Sequence, residues 1–379
     1  MVADVPLGVF LSGGIDSSTV AALMQANFQK PIRSFSIGFE EAAYNEADAA
    51  KAVAHHLGTD HTELYVSATE ALSVVPKLPQ IYDEPFADVS QIPTFLVSEM
   101  TRKHVTVALS GDGGDELFAG YNRYAQGLRA ARAFRQLPGP LPRAISQLLS
   151  LASPSTWDSV FAVLPAGIRP RQAGDKLHKL ASVLGADAAD YYRVLISSWA
   201  EAWVLVDGVA RPELAPFAEV ARDRFKTEVG WMQYVDMVTY LPDDVLTKVD
   251  RASMAVSLEA RVPLLDHRVV EFAWRLPEKL KIRQGQGKWL LRQLLCKYVP
   301  KKLVKRPKMG FGVPIDAWLR GPLKDWASDL LDPVAMGQAG FVDPAPIHAK
   351  WAEHLSGRRN WQHFLWNVLM FEAWRRSAR

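Results

Sequence analysis

The chain has 379 residues, of which 49% are hydrophobic and 22% charged, and its formal net charge is +3. This length accommodates one large domain or two moderate ones, the composition is that of a globular enzyme, and so balanced a charge gives no argument for nucleic acid as a partner. The single cysteine, Cys296, excludes an internal disulfide, so we expect a reducing compartment. No apolar run reaches the roughly 18 residues of a membrane span, which leaves the cytoplasm by elimination.

Apolar runs alternate with helical patterns over residues 1–124. The first run, Leu7–Leu11, is short and lies between Pro6 and Gly13, which indicates a buried strand. Further strands are predicted at 32–39, 61–66 and 105–109, with helices around 19–24, 45–57 and 93–103 between them. This alternation predicts an α/β fold with a parallel sheet wrapped by helices, in which ligands bind beyond the carboxyl ends of the strands.

The composition changes after Tyr124, where Ala, Leu, Arg and Trp dominate and strand-like runs become rare. We therefore divide the chain into an α/β portion over 1–124, a large, mainly helical portion over 125–330 and a helical tail over 331–379. Later helices are predicted at about 242–260, 266–276 and 288–298. The aromatic stripe at 361–374 is interpreted as core rather than as a cofactor site.

The loop after the first strand reads Ser12-Gly13-Gly14-Ile15-Asp16-Ser17-Ser18. Its glycines permit a sharp turn, and its N–H groups and hydroxyls at a helix N-terminus suit an anion such as pyrophosphate. Asp16 is compatible with a phosphate group if Mg²⁺ lies between them. The alternative is a tight turn with an Asp or Ser cap. The chain has neither a G-x-x-x-x-G-K-[ST] loop nor a G-x-G-x-x-G fingerprint.

The loop after the fourth strand carries three carboxylates in Ser110-Gly111-Asp112-Gly113-Gly114-Asp115-Glu116. If this segment turns helical, Asp112, Asp115 and Glu116 share one face. Such crowding is unfavourable unless a cation or a cationic substrate group neutralises it. An acidic, capped helix on the surface is the alternative.

Lys288 lies at the start of a predicted helix, where a cation is unfavourable, and Gly285 and Gly287 precede it. We interpret this segment as a mobile loop that closes over phosphate. The alternative is a solvated lysine, which is the usual state of a lysine in a folded protein.

These strings resemble a known family. The first loop is similar to the S-G-G-x-D-S loop of the N-type ATP pyrophosphatases, which cleave ATP between its α and β phosphates and have a HUP-like fold. With the second loop added, residues from about Ala3 to Leu323 resemble the synthetase domain of the glutamine-dependent asparagine synthetases. The resemblance also extends over Ser34–Phe39, Tyr44–Glu46, Leu57–His61, Asp83–Asp88, Lys248–Ala255, Glu259–Asp266, Lys308–Phe311 and Pro314–Trp318.

The resemblance implies roles for individual positions. Asp16 and Asp115 match acids that hold Mg²⁺ on the pyrophosphate, and Lys288 matches a lysine that neutralises charge on the phosphates. Asp112 matches a position important for forming the acyl-adenylate, where glutamate is common, and Glu116 completes the expected catalytic set. The positions expected to contact ATP are Leu11, Ser12, Gly13, Gly14, Asp16, Ser17, Ser18, Ile37, Ser110 and Gly111.

The function implied is asparagine synthesis from aspartate, ATP and ammonia, with Mg²⁺. The β-carboxylate of aspartate attacks the α-phosphate, pyrophosphate leaves, and ammonia attacks the resulting β-aspartyl-adenylate. Full-length members begin with a glutaminase domain whose N-terminal cysteine attacks glutamine. Residue 2 of this chain is Val2, so we expect a fragment or a truncated gene product that uses free ammonia or a separate glutaminase domain or chain. The sequence does not determine the oligomeric state, and a homodimer is one possibility.

Three other functions stay open from the sequence. A related enzyme could amidate or cyclise a different carboxylate, such as that of a sugar acid or a peptide. A tRNA-modifying adenylating enzyme is the second, although sulfur transfer usually needs more cysteine than Cys296 alone. The third is a nucleotide-binding module without turnover, against which the intact Asp16, Asp115 and Lys288 argue.

Overall fold

The computed structural model describes residues 3–39, 45–125, 140–163, 173–185, 191–199, 201–206, 208–210, 212–305 and 312–378. The chain divides into two compact units. Unit 1 comprises Met1–Ala125, Gln233–Pro314 and Trp374–Arg379, and unit 2 comprises Gln126–Met232 and Ile315–Ala373. Tyr44 and the segment Lys308–Phe311, which carry part of the resemblance, lie outside the described residues. None of the described helices is long and apolar enough to cross a membrane.

Unit 1 contains a parallel sheet of five strands in the order β3-β2-β1-β4-β5, which confirms the predicted α/β fold. The central strand β1 pairs with β2 on one side and with β4 on the other. The loops that follow β1 and β4 therefore leave the same edge of the sheet side by side. The strands are β1 Leu7–Phe10, β2 Arg33–Phe39, β3 Asp60–Val66, β4 Val107–Leu109 and β5 Glu259–Arg261.

The fifth strand lies where the sequence predicts the end of a helix. The chain instead forms a π-helix at Leu241–Leu246 and an α-helix that ends at Met254. Ser257 then adopts a left-handed backbone with a φ of 58°, and Glu259–Arg261 pairs with β4. The helix prediction for 255–260 is therefore wrong. This three-residue edge strand exposes its glutamate and arginine, so it lacks the apolar alternation that identifies a strand.

Helices account for most of the remaining regular structure in the described residues. Up to residue 161 they are α1 Ile15–Ala26, α2 Ala47–Leu57, α3 Ala68–Val74, α4 Leu78–Tyr82, α5 Gln91–Arg102, α6 Gly114–Leu117, α7 Leu141–Leu151 and α8 Pro154–Phe161. The following ones are α9 Ala173–Gly185, α10 Tyr191–Ile196, α11 Glu219–Arg222, α12 Glu228–Val238, α13 Thr247–Met254, α14 His267–Arg275 and α15 Glu278–Lys281. The last are α16 Trp289–Leu295, α17 Lys301–Val304, α18 Ile315–Arg320, α19 Lys324–Leu330, α20 Pro333–Ala339, α21 Pro344–Leu355 and α22 Gln362–Ser377.

One hydrophobic cluster of unit 1 joins the first strand to two helices that are distant in sequence. It includes Val9 of β1, Val20 of α1, and Leu291 and Leu295 of α16, each at most 5% exposed. Because α1 and α16 pack together in this cluster, the residue that precedes α16 is held beside the loop that precedes α1. That residue is Lys288.

The aromatic stripe of the C-terminal helix is part of a core. Phe364, Leu365, Val368 and Leu369 of α22 are all buried within unit 2. Their burial confirms the interpretation of the stripe as core.

Candidate active site

A cavity of about 810 Å³ lies in unit 1 beyond the ends of β1, β2 and β4. Its position agrees with the general rule for parallel sheets. Ser18 is fully buried and does not belong to the lining. The other residues predicted for the site all line the cavity, namely Leu11, Ser12, Gly13, Gly14, Asp16, Ser17, Ile37, Ser110, Gly111, Asp112, Asp115, Glu116 and Lys288.

The loop after β1 is a compact turn held by its own serines. Gly13 has a φ of 70°, a conformation that L side chains rarely adopt, and Gly14 occupies the N-cap of α1. The hydroxyls of Ser12 and Ser17 lie 3.0 Å apart, and the Gly14 N–H donates to Ser12 Oγ at 3.2 Å. Because the N-cap is a glycine, the alternative of an Asp or Ser cap is wrong. The first turn of α1 faces the cavity.

The second glycine-rich loop touches the first at two points. A Cβ added to Gly111 would lie 2.5 Å from the backbone N of Ser17, and one added to Gly114 would lie 2.4 Å from Oδ1 of Asp16. No side chain fits at such distances. These two glycines therefore allow the loops to come into direct contact, which brings the carboxylates of both loops into one cavity.

Lys288 lies between the carboxylates of the two loops. Its Nζ is 2.7 Å from Oδ1 of Asp115 and also contacts Oδ2 of Asp16. Burial alone would lower the pKa of Lys288, but the two carboxylates more than offset this and hold its pKa above the ordinary value. The side chain is 7% exposed, so the alternative of a solvated lysine is wrong.

The backbone before α16 is shaped to place this lysine. Lys288 has a φ of 56°, which is unusual for a residue with a side chain, and its N–H donates to the carbonyl of Phe118 at 2.9 Å. A Cβ on Gly287 would lie 2.1 Å from the carbonyl oxygen of Ala119. A Cβ on Gly120 would lie 1.9 Å from Cε of Lys288. The chain thus keeps glycine on both sides of the lysine stem.

Two further carboxyl groups line the cavity beside Asp16, Asp115 and Lys288. Helix α6 covers only Gly114–Leu117, so Asp112 lies outside it, contrary to the prediction of one shared helical face. Burial raises the pKa of Asp112. Burial also raises the pKa of Glu116 to about 7, although its carboxylate accepts a hydrogen bond from the Tyr121 hydroxyl at 2.5 Å.

A second ion pair in the cavity lining was missed from the sequence. Lys248 Nζ lies 2.6 Å from Oδ2 of Asp88 and 3.9 Å from Oδ1 of Asp244. Burial alone would raise the pKa of Asp88, but the charge of Lys248 more than offsets this effect and lowers the pKa of Asp88 to about 2. Burial, followed by the charge of Asp88, raises the pKa of Asp244 to about 8. Only the spacing of Asp244 and Lys248, four residues apart across the π-helix, could have suggested part of this cluster.

Replacing Asp88 and Asp244 separately by asparagine should give unequal losses of stability. Asp88→Asn removes the charged partner of a buried lysine and should lower the free energy of unfolding by about 3 kcal/mol at pH 7. Asp244→Asn replaces a carboxyl that is held protonated, so its loss should stay below about 1 kcal/mol. Urea unfolding of both variants measures the difference, and equal losses would contradict this assignment of charge.

The same pair of variants tests the pH dependence. The folded-state pKa of Asp244 is raised to about 8, so its stabilisation is complete below the unfolded pKa of about 4 and is lost as pH rises toward 8. We expect the free energy of unfolding of Asp244→Asn to fall less between pH 5 and pH 8 than that of the parent. An unchanged pH dependence would contradict the raised pKa.

Comparison with known proteins identifies the family to which this sequence is similar. A family model described as asparagine synthase matches residues 1–376 of the chain. Asparagine synthetase (glutamine-hydrolyzing) 1 of Bacillus subtilis is 33% identical over 391 residues, which cover 99% of this chain and 56% of that protein. A Mycobacterium tuberculosis protein, provisionally named a glutamine-hydrolyzing asparagine synthetase, is 38% identical over 381 residues, which cover 99% and 55%. The chain spans about half the length of the curated relatives it matches.

Proposed function

Because this chain belongs to the asparagine synthase family, we propose that it is a ligase that activates the β-carboxylate of aspartate with ATP and transfers it to ammonia. The observation that carries this proposal is the meeting of the two glycine-rich loops around Lys288 within one cavity. Relatives from Bacillus subtilis and from Bos taurus are named as glutamine-hydrolyzing asparagine synthetases.

In this proposal ATP lies across the carboxyl ends of β1 and β2. The first turn of α1, a helix of 12 residues, directs N–H groups at the pyrophosphate, and the Ser12 and Ser17 hydroxyls surround it. Ile37 at the end of β2 contacts the adenine side, with Leu11, Ser110 and Gly111 between. A cavity of about 810 Å³ is within the range that holds a nucleotide and a small acceptor.

Asp16 and Asp115 are proposed to hold Mg²⁺ on the pyrophosphate. Both carboxylates contact the same atom, Lys288 Nζ, which lies 2.7 Å from Oδ1 of Asp115, so the two carboxylates are close to each other. In the described ranges no group of three His, Cys, Asp and Glu side chains could hold a metal ion. Two carboxylates completed by substrate phosphates are the usual donor set for Mg²⁺, so these residues fit the ion. When bound, the ion neutralises charge on the departing phosphates.

The residues of this chain then act by position and charge. Asp112, which lines the cavity, is assigned to orient the carboxylate for attack on the α-phosphate. Lys288 stabilises the negative charge that develops on the leaving pyrophosphate. Glu116, whose pKa is near 7, is suited to accept a proton from the attacking ammonia. Burial of these groups limits hydrolysis of the adenylate by water.

The ammonia source in this proposal is a glutaminase domain or chain, since the names of the relatives include glutamine hydrolysis. Free ammonia supplied at high concentration replaces that source. The same proposal includes a reducing compartment, expected from the single cysteine, and a homodimer.

The test is to mix the protein with ATP, Mg²⁺, aspartate and ammonium and to measure AMP, pyrophosphate and asparagine. We expect AMP that depends on aspartate, with one asparagine formed per AMP. Asp16→Asn should lower AMP formation at least about 100-fold, because the Mg²⁺ proposed to neutralise the pyrophosphate loses one of its two carboxylate ligands. AMP that forms equally well without aspartate would refute aspartate as the acceptor and keep the ATP chemistry. No AMP together with no nucleotide binding would refute the whole assignment.

A further inference from the structure

Arg292 is a cation of the cavity to which neither the sequence nor the proposed mechanism assigns a role. It lies on α16 one turn after Lys288, and its side chain is half-buried in the cavity lining. Its Nε donates to the carbonyl oxygen of Gly287 at 3.1 Å. This bond ties the guanidinium to the backbone that positions Lys288, and both cations line the cavity.

The cavity lining contains more carboxyl groups than cations. The described lining has six carboxyl side chains and three cations, and Lys248 and Lys288 are already paired with carboxylates. Asp16, Asp115 and Lys288 together carry a net charge of −1 when all are ionised. Even with the Mg²⁺ proposed for Asp16 and Asp115, this group reaches only +1, so a triphosphate entering the cavity needs further positive charge.

Arg292 is able to supply that charge. Within the described ranges, no carboxylate lies within ion-pair distance of its guanidinium, and its described hydrogen bond uses Nε alone. Burial lowers its pKa, while Asp16, the first-loop carboxylate, acts in the opposite direction from across the cavity. The guanidinium stays ionised under all ordinary conditions, so its two NH₂ groups are donors that can serve an anion.

We propose that Arg292 is a second cationic contact for the pyrophosphate portion of ATP, with its NH₂ groups donating to β- or γ-phosphate oxygens. This inference rests on the proposed function, because it takes the cavity to be the ATP site. Arginine suits the role because its planar fork binds two phosphate oxygens at once, whereas Lys288 offers a single ammonium group. The arrangement stabilises the ground-state triphosphate and the leaving pyrophosphate alike, so its main effect is on affinity.

The experiment measures binding of inorganic pyrophosphate with Mg²⁺, and separately of AMP, to the full chain and its variants. Arg292→Gln should weaken pyrophosphate binding roughly 10- to 100-fold and leave AMP affinity within about twofold, because AMP lacks the β and γ phosphates. Arg292→Lys should recover part of the loss. Arg283→Gln is the matched control, since Arg283 is an exposed arginine nine residues earlier in the chain that does not line the cavity.

Two results would overturn the inference. An unchanged pyrophosphate affinity in Arg292→Gln would show that Arg292 makes no contact with the phosphates. Equal weakening of AMP and pyrophosphate assigns Arg292 a structural role in holding the turn at Gly287. Failure of the proposed function is distinguishable from both, because a parent protein that binds pyrophosphate but forms no AMP from ATP refutes the reaction and leaves the binding difference intact.

Discussion

Lys288→Met should abolish measurable synthesis and make the stability of the protein depend on Mg²⁺. Methionine has nearly the length of lysine but no charge, so Asp16 and Asp115 lose the cation they share, whose Nζ lies 2.7 Å from Asp115. AMP formation should fall at least about 1000-fold, because the leaving pyrophosphate also loses this cation. Without Mg²⁺ the free energy of unfolding should drop by about 3 kcal/mol, as expected when one member of a buried ion cluster is removed.

Mg²⁺ separates this explanation from a general defect of the variant. If the two carboxylates are suited to the ion, millimolar Mg²⁺ should restore most of the lost stability of Lys288→Met and change the parent much less. The measurements are thermal unfolding with and without Mg²⁺, and AMP release from ATP. Lys297→Met, at an exposed lysine beyond the end of α16, is the matched control and should behave as the parent. Lost stability that Mg²⁺ does not restore would contradict a metal site at Asp16 and Asp115.

The sheet and the first loop were predictable because their signals are local. The strands β1 and β4 are short apolar runs, and the α1 start is marked by adjacent glycines. The order of the strands was not predictable in the same way, because it also requires β4 to pair with β1 on the side away from β2. That pairing is what places the two glycine-rich loops together, and it follows from packing across the whole sheet rather than from any short stretch of sequence.

Lys288 was predictable as a residue but not as an ion pair. The sequence places it before a helix with glycines around it, which led to an interpretation as a phosphate-binding segment. Its contacts with Asp16 join residues 272 positions apart. They depend on α1 packing against α16 and on the close fit of Gly287 to Ala119. No periodicity or spacing in the sequence encodes such a meeting.

The Asp88–Lys248 pair and β5 were missed for related reasons. Asp88 and Lys248 are 160 positions apart, and the lysine lies on a segment that starts as a π-helix, which sequence patterns do not identify. Strand β5 is three residues long and its pairing with β4 is set by the turn at Ser257. In both cases the position is fixed by tertiary contacts, whereas local propensity favours a continuous helix.

Gly111→Ala should leave the protein folded but nearly inactive. The added Cβ would lie 2.5 Å from the Ser17 backbone N and 2.9 Å from both the Asp16 carbonyl carbon and the Ser17 Cα. These are backbone atoms at the start of a 12-residue helix, so they yield only if the two loops move apart. Crowding of this kind costs about 2 kcal/mol of stability. A displacement near 1 Å between reacting groups costs roughly 100-fold in rate.

The measurement is AMP formation by Gly111→Ala at a temperature where circular dichroism shows the variant fully folded. Gly337→Ala, in α20, is the control, because its added Cβ meets no atom within 4 Å and a helical alanine should be neutral or slightly stabilising. Loss of activity that persists in the folded variant means that contact between the loops, rather than the presence of their charged residues, sets the rate. Full activity would mean that the loops need not touch for catalysis, and the site would then have to be rebuilt around Lys288 and one loop alone.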